Sequence, residues 1–219
     1  MGISDKIEIP AHKNVIQEFV GNKKDVDIKK IAFLGSKKEM LTNRHPDSVE
    51  NFVSEFFETN EIDLFDIEDG TWDVNSSWEN VNNYDLVICF RTTMYAKSID
   101  QFFGELKRLI EINQRVLFDF SIYSGNIIHD GKRFRALGSR NPRVTSLGAL
   151  SFDFRNDLTL GQKIKASFRL KVGRRYFLGE MVNSFNRRRF LDEGIEPKKV
   201  KYHVNPIKRD LVAYLYWHR

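Results

Sequence analysis

Two apolar runs of strand length flank an amphipathic stretch in the middle of the chain. Leu86–Phe90 and Arg115–Ser121 are largely apolar without strict alternation, which is typical of a parallel sheet covered on both faces. Between them, apolar residues recur at helical spacing, at Ile99, Phe102, Phe103, Leu106, Leu109 and Ile110. The pattern predicts a strand–helix–strand unit, and ligands bind such units beyond the carboxyl ends of their strands.

The same succession of strand and helix patterns extends toward the N-terminus. Ile31–Leu34 is a strand candidate that ends at Gly35, and Ile62–Ile67 is a second one. The helix predicted between them opens with Asp47 and Glu50 at capping-box spacing. Its apolar face consists of Val49, Phe52, Val53, Phe56 and Phe57. A shorter helical pattern before the first strand consists of Val15, Ile16, Phe19 and Val20, followed by Gly21.

The second half of the chain departs from this rhythm and then resumes it. Residues 71–83 are polar and are interpreted as a loop. Residues 124–172 carry short strand or hairpin patterns with glycine and Asn-Pro breaks. A helical pattern then stops near Gly194, and two last strands are predicted at Lys199–Val204 and Leu211–Trp217.

The length of 219 residues and the apolar fraction of 41% suit one α/β domain with a full core. We expect this domain to cover residues 1–219, with a helical extension at 1–27 and a β-rich insertion at 124–172. Cys89 is the only cysteine and lies in a predicted buried strand, so we interpret it as a core residue.

Membrane and metal sites are not expected from this composition. No apolar run approaches the ~20 residues of a membrane-spanning helix, and no signal segment opens the chain. The five histidines lack the spacing of metal ligands. We therefore expect a soluble, cytoplasmic protein, while its oligomeric state stays open.

Charge is distributed unevenly along the chain. Residues 1–130 hold 14 Lys/Arg and 23 Asp/Glu, a net charge of −9. Residues 131–219 hold 21 Lys/Arg and 7 Asp/Glu, a net charge of +14, which brings the whole chain to +5. This asymmetry favours an anionic partner for the C-terminal part, although a solvated basic surface gives the same count.

Three segments resemble the class I S-adenosylmethionine-dependent methyltransferases. They are the strand Tyr84–Ile88 with the helix and strand after it, the segment Phe190–Glu196, and the two final strands. The resemblance implies a Rossmann-like, mainly parallel seven-stranded sheet with helices on both faces and an antiparallel last strand. It also implies S-adenosylmethionine as the cofactor.

The resemblance further implies a cofactor site at the strand ends. The candidate residues are Gly35, Ser36, Lys37, Asp63, Asp66, Asp69, Phe90 and Arg91. Gly35 keeps the first position of the glycine-rich loop of that family, whereas Lys37 and Glu39 replace further glycines. An acid after the second strand suits the ribose, because a carboxylate accepts hydrogen bonds from both hydroxyl groups. The stretch from Asp66 to Tyr84 is short for a further helix and strand, and if that unit is missing, Asp66 or Asp69 contacts the adenine end instead.

Acceptor binding is assigned to a different set of residues. The candidates are Tyr95, Tyr123, Arg187, Arg188 and Arg189. Basic side chains interleaved with aromatic ones suit phosphate contacts and base stacking, so RNA, DNA or another anionic substrate is the expected acceptor. No catalytic residue is singled out, because methyl transfer can proceed by positioning alone.

Two other interpretations stay open at this stage. The substitutions at Lys37 and Glu39 are also compatible with a methyltransferase-like binding or scaffold protein that uses no cofactor. Alternatively, the acceptor is a small molecule and residues 124–172 form a lid over it.

Overall fold

The structure is a computed structural model that describes residues 5–21, 26–41, 45–93, 96, 99–122, 126–129, 132–135, 190, 193–205 and 210–219. The helices in this part of the chain are α1 (Asp5–Val20), a 3-10 helix (Lys38–Leu41), α2 (Val49–Phe57) and α3 (Ile99–Ile112). The strands are β1 (Lys30–Leu34), β2 (Glu61–Phe65), β3 (Leu86–Cys89), β4 (Arg115–Ile122), β5 (Asn126–His129), β6 (Lys132–Arg135), β7 (Lys199–Asn205) and β8 (Asp210–His218). None of the described helices combines the length and the apolar character needed to cross a membrane.

Six of the described strands form one mixed sheet in the order β2-β1-β3-β4-β8-β7. The first four run parallel, and β8 is antiparallel to both β4 and β7. β1 and β3 are neighbours, with Ile31 opposite Leu86, as the two apolar runs predict. The Rossmann-like α/β arrangement and the antiparallel last strand are therefore confirmed. β5 and β6 pair with each other outside this sheet.

The prediction of seven strands is wrong, because the described part of the chain contributes only six strands to the sheet. The segment that joins β2 to β3 is fully described and contains neither a helix nor a strand. It packs as a loop whose Trp72 and Trp78 are buried against the sheet, with Trp78 stacked on Phe118 at 6.1 Å. These indoles belong to the apolar cluster on that face of the sheet.

The sheet separates two apolar clusters. One face packs against α1 and α2, through Val15, Ile16, Phe19, Val49, Val53 and Phe57. The other face packs against α3 and the loop 71–83, through Phe102, Phe103, Leu106, Leu109, Trp72 and Trp78. Cys89 belongs to the second cluster and is fully buried, as predicted. Burial raises the pKa of its thiol, so Cys89 stays protonated.

Helix α2 begins differently from the sequence prediction. Ser48, not Asp47, is its N-cap, and the Ser48 hydroxyl accepts a hydrogen bond from the amide of Asn51 at 3.0 Å. The same hydroxyl donates to the carbonyl oxygen of Met40, which ties the cap to the 3-10 helix. The cap therefore does not use Glu50, whose side chain turns toward the end of β1 instead.

Candidate functional site

Three loops meet at the carboxyl edge of the parallel strands. They are residues 35–37 after β1, residues 66–71 after β2 and residues 90–93 after β3. Because parallel strands end at the same edge, their following loops lie side by side and form the place where such sheets bind ligands. The predicted residues of the glycine loop, the acidic loop and the end of β3 therefore come together in the fold.

Both the backbone conformation and a close neighbour favour glycine at position 35. Its φ of 77° lies in the left-handed region, which disfavours residues with a Cβ atom. A Cβ atom placed on Gly35 would lie 2.1 Å from Oγ1 of Thr92 in the loop after β3. The amides of Gly35 and Ser36 both donate to the carbonyl oxygen of Phe65, at 2.7 and 3.1 Å. The glycine therefore allows the three loops to touch.

Asp66 is the acid that occupies the end of β2. It is only 8% exposed, and its Oδ1 accepts a hydrogen bond from the amide of Glu68 at 2.8 Å. The Asp66 amide donates to the hydroxyl of Thr71, which holds the turn closed. Among the described residues no donor bonds the second oxygen, Oδ2, and that oxygen is not enclosed. Asp66 thus presents a carboxylate oxygen at the edge where a ligand would lie.

The other two acids named from the sequence lie in different surroundings. Asp63 is inside β2, opposite Ala32, and its carboxylate accepts a hydrogen bond from the Tyr84 hydroxyl at 2.7 Å. Burial and this neighbouring carboxylate raise the pKa of Tyr84. Asp69 is exposed in the turn after β2. Of the three acids, only Asp66 is both buried and placed directly after the strand.

Two charged side chains flank the loop after β1. The ammonium group of Lys37 forms an ion pair with Glu68, and this hydrogen bond raises the pKa of Lys37. The hydroxyl of Ser36 donates a hydrogen bond to Glu50 in the first turn of α2. Sequence reasoning did not assign Glu50 to the site, because its spacing from Asp47 indicated a helix cap.

The loop after β3 is held by an acid from the neighbouring strand. Arg91 is exposed and has a φ of 61°, which is unusual for a residue with a side chain. Its amide donates to Oδ1 of Asp119 in β4 at 2.7 Å. The Thr93 hydroxyl donates to the main-chain carbonyl oxygen of Asp119 at 3.0 Å. Asp119 therefore fixes the course of the chain just after Phe90.

His12 of α1 completes this end of the site. Its Nε2 lies 3.8 Å from Oδ2 of Asp119, and both side chains are buried. The imidazole stacks on the Phe90 ring, with centroids 4.3 Å apart, and meets the Tyr214 ring edge-on at 5.7 Å. Sequence reasoning missed His12 and Asp119. The signal for Asp119 was a lone carboxylate within an apolar strand, between Phe118 and Phe120.

The predicted acceptor residues Tyr95, Tyr123, Arg187, Arg188 and Arg189 lie outside the described residues, and so does most of the 124–172 segment. Within the described residues, no group of three or more His, Cys, Asp or Glu side chains is arranged to hold a metal ion. The described site therefore consists of the three loops, Glu50, Asp119 and His12.

Comparisons with known proteins give matches among solved structures alone. No protein-family model matches the chain, and no curated protein matches it. The chain is similar to the magnesium protoporphyrin IX methyltransferase of Synechocystis with bound S-adenosylhomocysteine, at 10% identity and a TM-score of 0.46, over 99% of this chain and 84% of that one. It is also similar to the N-methyltransferase NodS of Bradyrhizobium japonicum, at 9% identity and a TM-score of 0.44, over 98% and 99%.

A third similar structure is a putative S-adenosylmethionine-dependent methyltransferase of Methanococcus maripaludis, at 11% identity and a TM-score of 0.40, over 96% of this chain and 85% of that one. These structural neighbours are methyltransferases. At such identities a similar fold does not show a shared function.

Proposed function

We propose that this chain binds S-adenosylmethionine at the carboxyl edge of its sheet and catalyses methyl transfer. The observation that carries the proposal is that the amides of Gly35 and Ser36 both donate to the carbonyl oxygen of Phe65, the residue before Asp66, which joins the Gly35 turn to the start of the acidic loop. When bound, this cofactor supplies a methyl group on an electrophilic sulfonium. The residues of the chain hold and orient the two reactants and exclude water.

Asp66 fits the ribose end of such a ligand. Its Oδ1 is used by the amide of Glu68, whereas Oδ2 has no described donor and is not enclosed, so it is available to a hydroxyl group. Asp63 and Asp69 fit this role less well. The first already accepts a hydrogen bond from Tyr84, and the second is exposed in the turn.

Lys37, which follows Ser36, fits the amino-acid end. The Ser36 amide is already bonded to Phe65, so the loop offers a side-chain cation, Lys37, where a glycine-rich loop offers main-chain amides. The Lys37–Glu68 pair is partly exposed and is easily exchanged for a ligand carboxylate. Phe90 and Arg91 continue the crevice toward the acceptor side, where Asp119 holds the backbone of Arg91.

Calorimetric titration of the full chain with S-adenosylhomocysteine tests this proposal. We expect binding, and we expect Asp66→Asn to weaken it about tenfold or more, because a hydrogen bond to a charged group contributes about 1.5–3 kcal/mol. Asp69→Asn is the matched control, an exposed acid of the same turn, and should leave the affinity unchanged. Absence of both heat and thermal stabilisation at millimolar ligand would exclude cofactor use.

A specific observation favours the second candidate function, a scaffold that binds no cofactor. Thr92 lies directly against Gly35, and the amides of residues 35 and 36 are both satisfied within the fold. Ligand approach therefore requires the Thr92 side chain to shift. If wild-type protein does not bind S-adenosylhomocysteine but Thr92→Gly does, the crevice is closed by this contact and the scaffold interpretation is favoured.

We propose a nucleic acid as the acceptor, supported by the net charge of +14 over residues 131–219. Electrophoretic shift of single-stranded RNA at several salt concentrations tests it, since each neutralised phosphate releases counterions and steepens the salt dependence. Neutral substitutions at Arg187, Arg188 and Arg189 should weaken RNA binding and flatten this dependence. No shift by the unmodified protein at low salt would favour a small-molecule acceptor, with residues 124–172 as its lid.

A further inference from the structure

Glu50 is a buried carboxylate whose position a helix cap does not explain. We propose that Glu50 binds the α-ammonium group of the amino-acid part of the cofactor, so that the site selects ligands that carry this group. This inference rests on the proposed function, since it deepens the description of the same site. It assigns to α2 a ligand contact that the sequence did not suggest.

The placement of Glu50 follows from the order of elements. Helix α2 lies between the parallel neighbours β1 and β2, so its N-terminus lies at the carboxyl edge of the sheet, beside the loop after β1. Glu50 is in the first turn of α2 and is only 8% exposed. The Ser36 hydroxyl donates to its Oε1, which places the carboxylate next to the loop that the proposed cofactor would contact.

The Glu50 side chain has few partners in the described part of the fold. Within the described residues its side chain forms one hydrogen bond, from Ser36, and no ion pair with a basic side chain. Removing a carboxylate from water is costly unless it is paired and hydrogen-bonded. The positive end of the α2 dipole offsets part of this cost, but an exposed acid in the first turn would gain the same benefit without burial.

An ammonium group supplies what this carboxylate lacks. It brings one positive charge and three N–H donors, and charge-assisted hydrogen bonds are about twice as strong as neutral ones. Lys37, in the loop after β1 that also contains Ser36, carries a charge opposite to that of Glu50. Glu50 and Lys37 therefore suit the ammonium and carboxylate groups of one amino-acid moiety, because Ser36 is next to Lys37 in the chain and is hydrogen-bonded to Glu50.

The contribution of Glu50 can be measured by comparing two ligands. S-adenosylhomocysteine carries the amino-acid moiety, and 5′-methylthioadenosine lacks it. We expect Glu50→Gln to weaken S-adenosylhomocysteine binding about tenfold or more in calorimetry, with the affinity for 5′-methylthioadenosine unchanged. Glu55→Gln is the matched control, because Glu55 is exposed on the same helix, and it should leave both affinities unchanged.

The outcomes separate this inference from the proposed function. Equal weakening of both ligands by Glu50→Gln, or no weakening of either, would show that Glu50 serves only the fold and would overturn the inference. Failure of wild-type protein to bind either ligand would overturn the proposed function as well. If Glu50→Gln does not fold, Glu50→Asp provides the test, since its shorter carboxylate should still weaken S-adenosylhomocysteine selectively.

Discussion

The main-chain amide of Arg91 donates a hydrogen bond to Oδ1 of Asp119 across 2.7 Å, which joins the end of β3 to the middle of β4. This contact accompanies the left-handed backbone of Arg91, a conformation that costs a non-glycine residue about 1–2 kcal/mol. The main-chain carbonyl of Asp119 also accepts the hydroxyl of Thr93. Asp119 therefore holds the loop after β3 in place.

Asp119→Ala should lower the free energy of unfolding by about 1–3 kcal/mol, because it leaves a main-chain donor without its partner. Asp119→Asn keeps an acceptor oxygen, so it should lower the free energy of unfolding by a smaller amount. Urea denaturation measures both variants, with Asp69→Asn as the exposed-acid control. Equal stability of Asp119→Ala and the control would contradict the role of this contact.

Gly35→Ala should be destabilising for two separable reasons. A left-handed backbone at alanine lowers the free energy of unfolding by about 1–2 kcal/mol, which is the backbone term. The steric term is the further loss caused by the Thr92 hydroxyl, which would lie 2.1 Å from the new Cβ atom. Thr92→Gly in the same chain should remove the steric term alone. A double-mutant cycle in urea isolates the coupling, and strictly additive effects would mean that the two loops do not touch.

Tyr84 should ionise well above the pH at which an exposed tyrosine does, because burial and the Asp63 carboxylate raise its pKa. Ultraviolet absorbance during alkaline titration, compared with Tyr84→Phe, measures this directly. A raised folded-state pKa means that the stabilisation is complete below about pH 10 and is lost as pH rises further.

The Asp63→Asn variant separates the two causes of this shift. Removing the negative charge should lower the pKa of Tyr84 toward its ordinary value while the burial of the ring stays the same. An unchanged titration in Asp63→Asn would assign the whole shift to burial.

Trp78→Ala should lower the free energy of unfolding by about 3–5 kcal/mol, the usual cost of removing a buried indole. Trp78 is fully buried and contacts Phe102 and Phe118. Trp78→Phe should cost much less, because the indole N–H has no hydrogen-bond partner among the described residues. Chemical denaturation compares the two, and equal losses would indicate that the N–H is bonded.

The fold was predictable where local pattern and tertiary environment agree. The runs around Ile31 and Leu86 are apolar on both faces because helices cover both sides of the sheet, so the pattern alone indicates central parallel strands. The prediction of seven strands was wrong because it followed the layout of the family that the sequence resembles. The segment between β2 and β3 is too short for a further helix and strand, and its Trp72 and Trp78 pack against the sheet instead.

The candidate site was less predictable, because its decisive contacts join distant parts of the chain. His12 and Asp119 are separated by more than a hundred residues, and neither belongs to a spacing motif. Glu50 was interpreted as part of a capping box from its spacing to Asp47, whereas Ser48 is the N-cap and the Glu50 carboxylate accepts a hydrogen bond from Ser36. The position of Asp66 directly after β2 was predictable, because strand ends can be inferred from sequence.

The position of β2 at the edge of the sheet also bears on self-association of the molecule. Without a further strand, β2 borders the sheet, and no described strand pairs with its outer side. Open strand edges invite pairing between chains, and charged side chains discourage it. β2 is five residues long and exposes Glu61 and Asp63. Two such borders brought together would repel each other, so these acids protect the molecule against aggregation through β2.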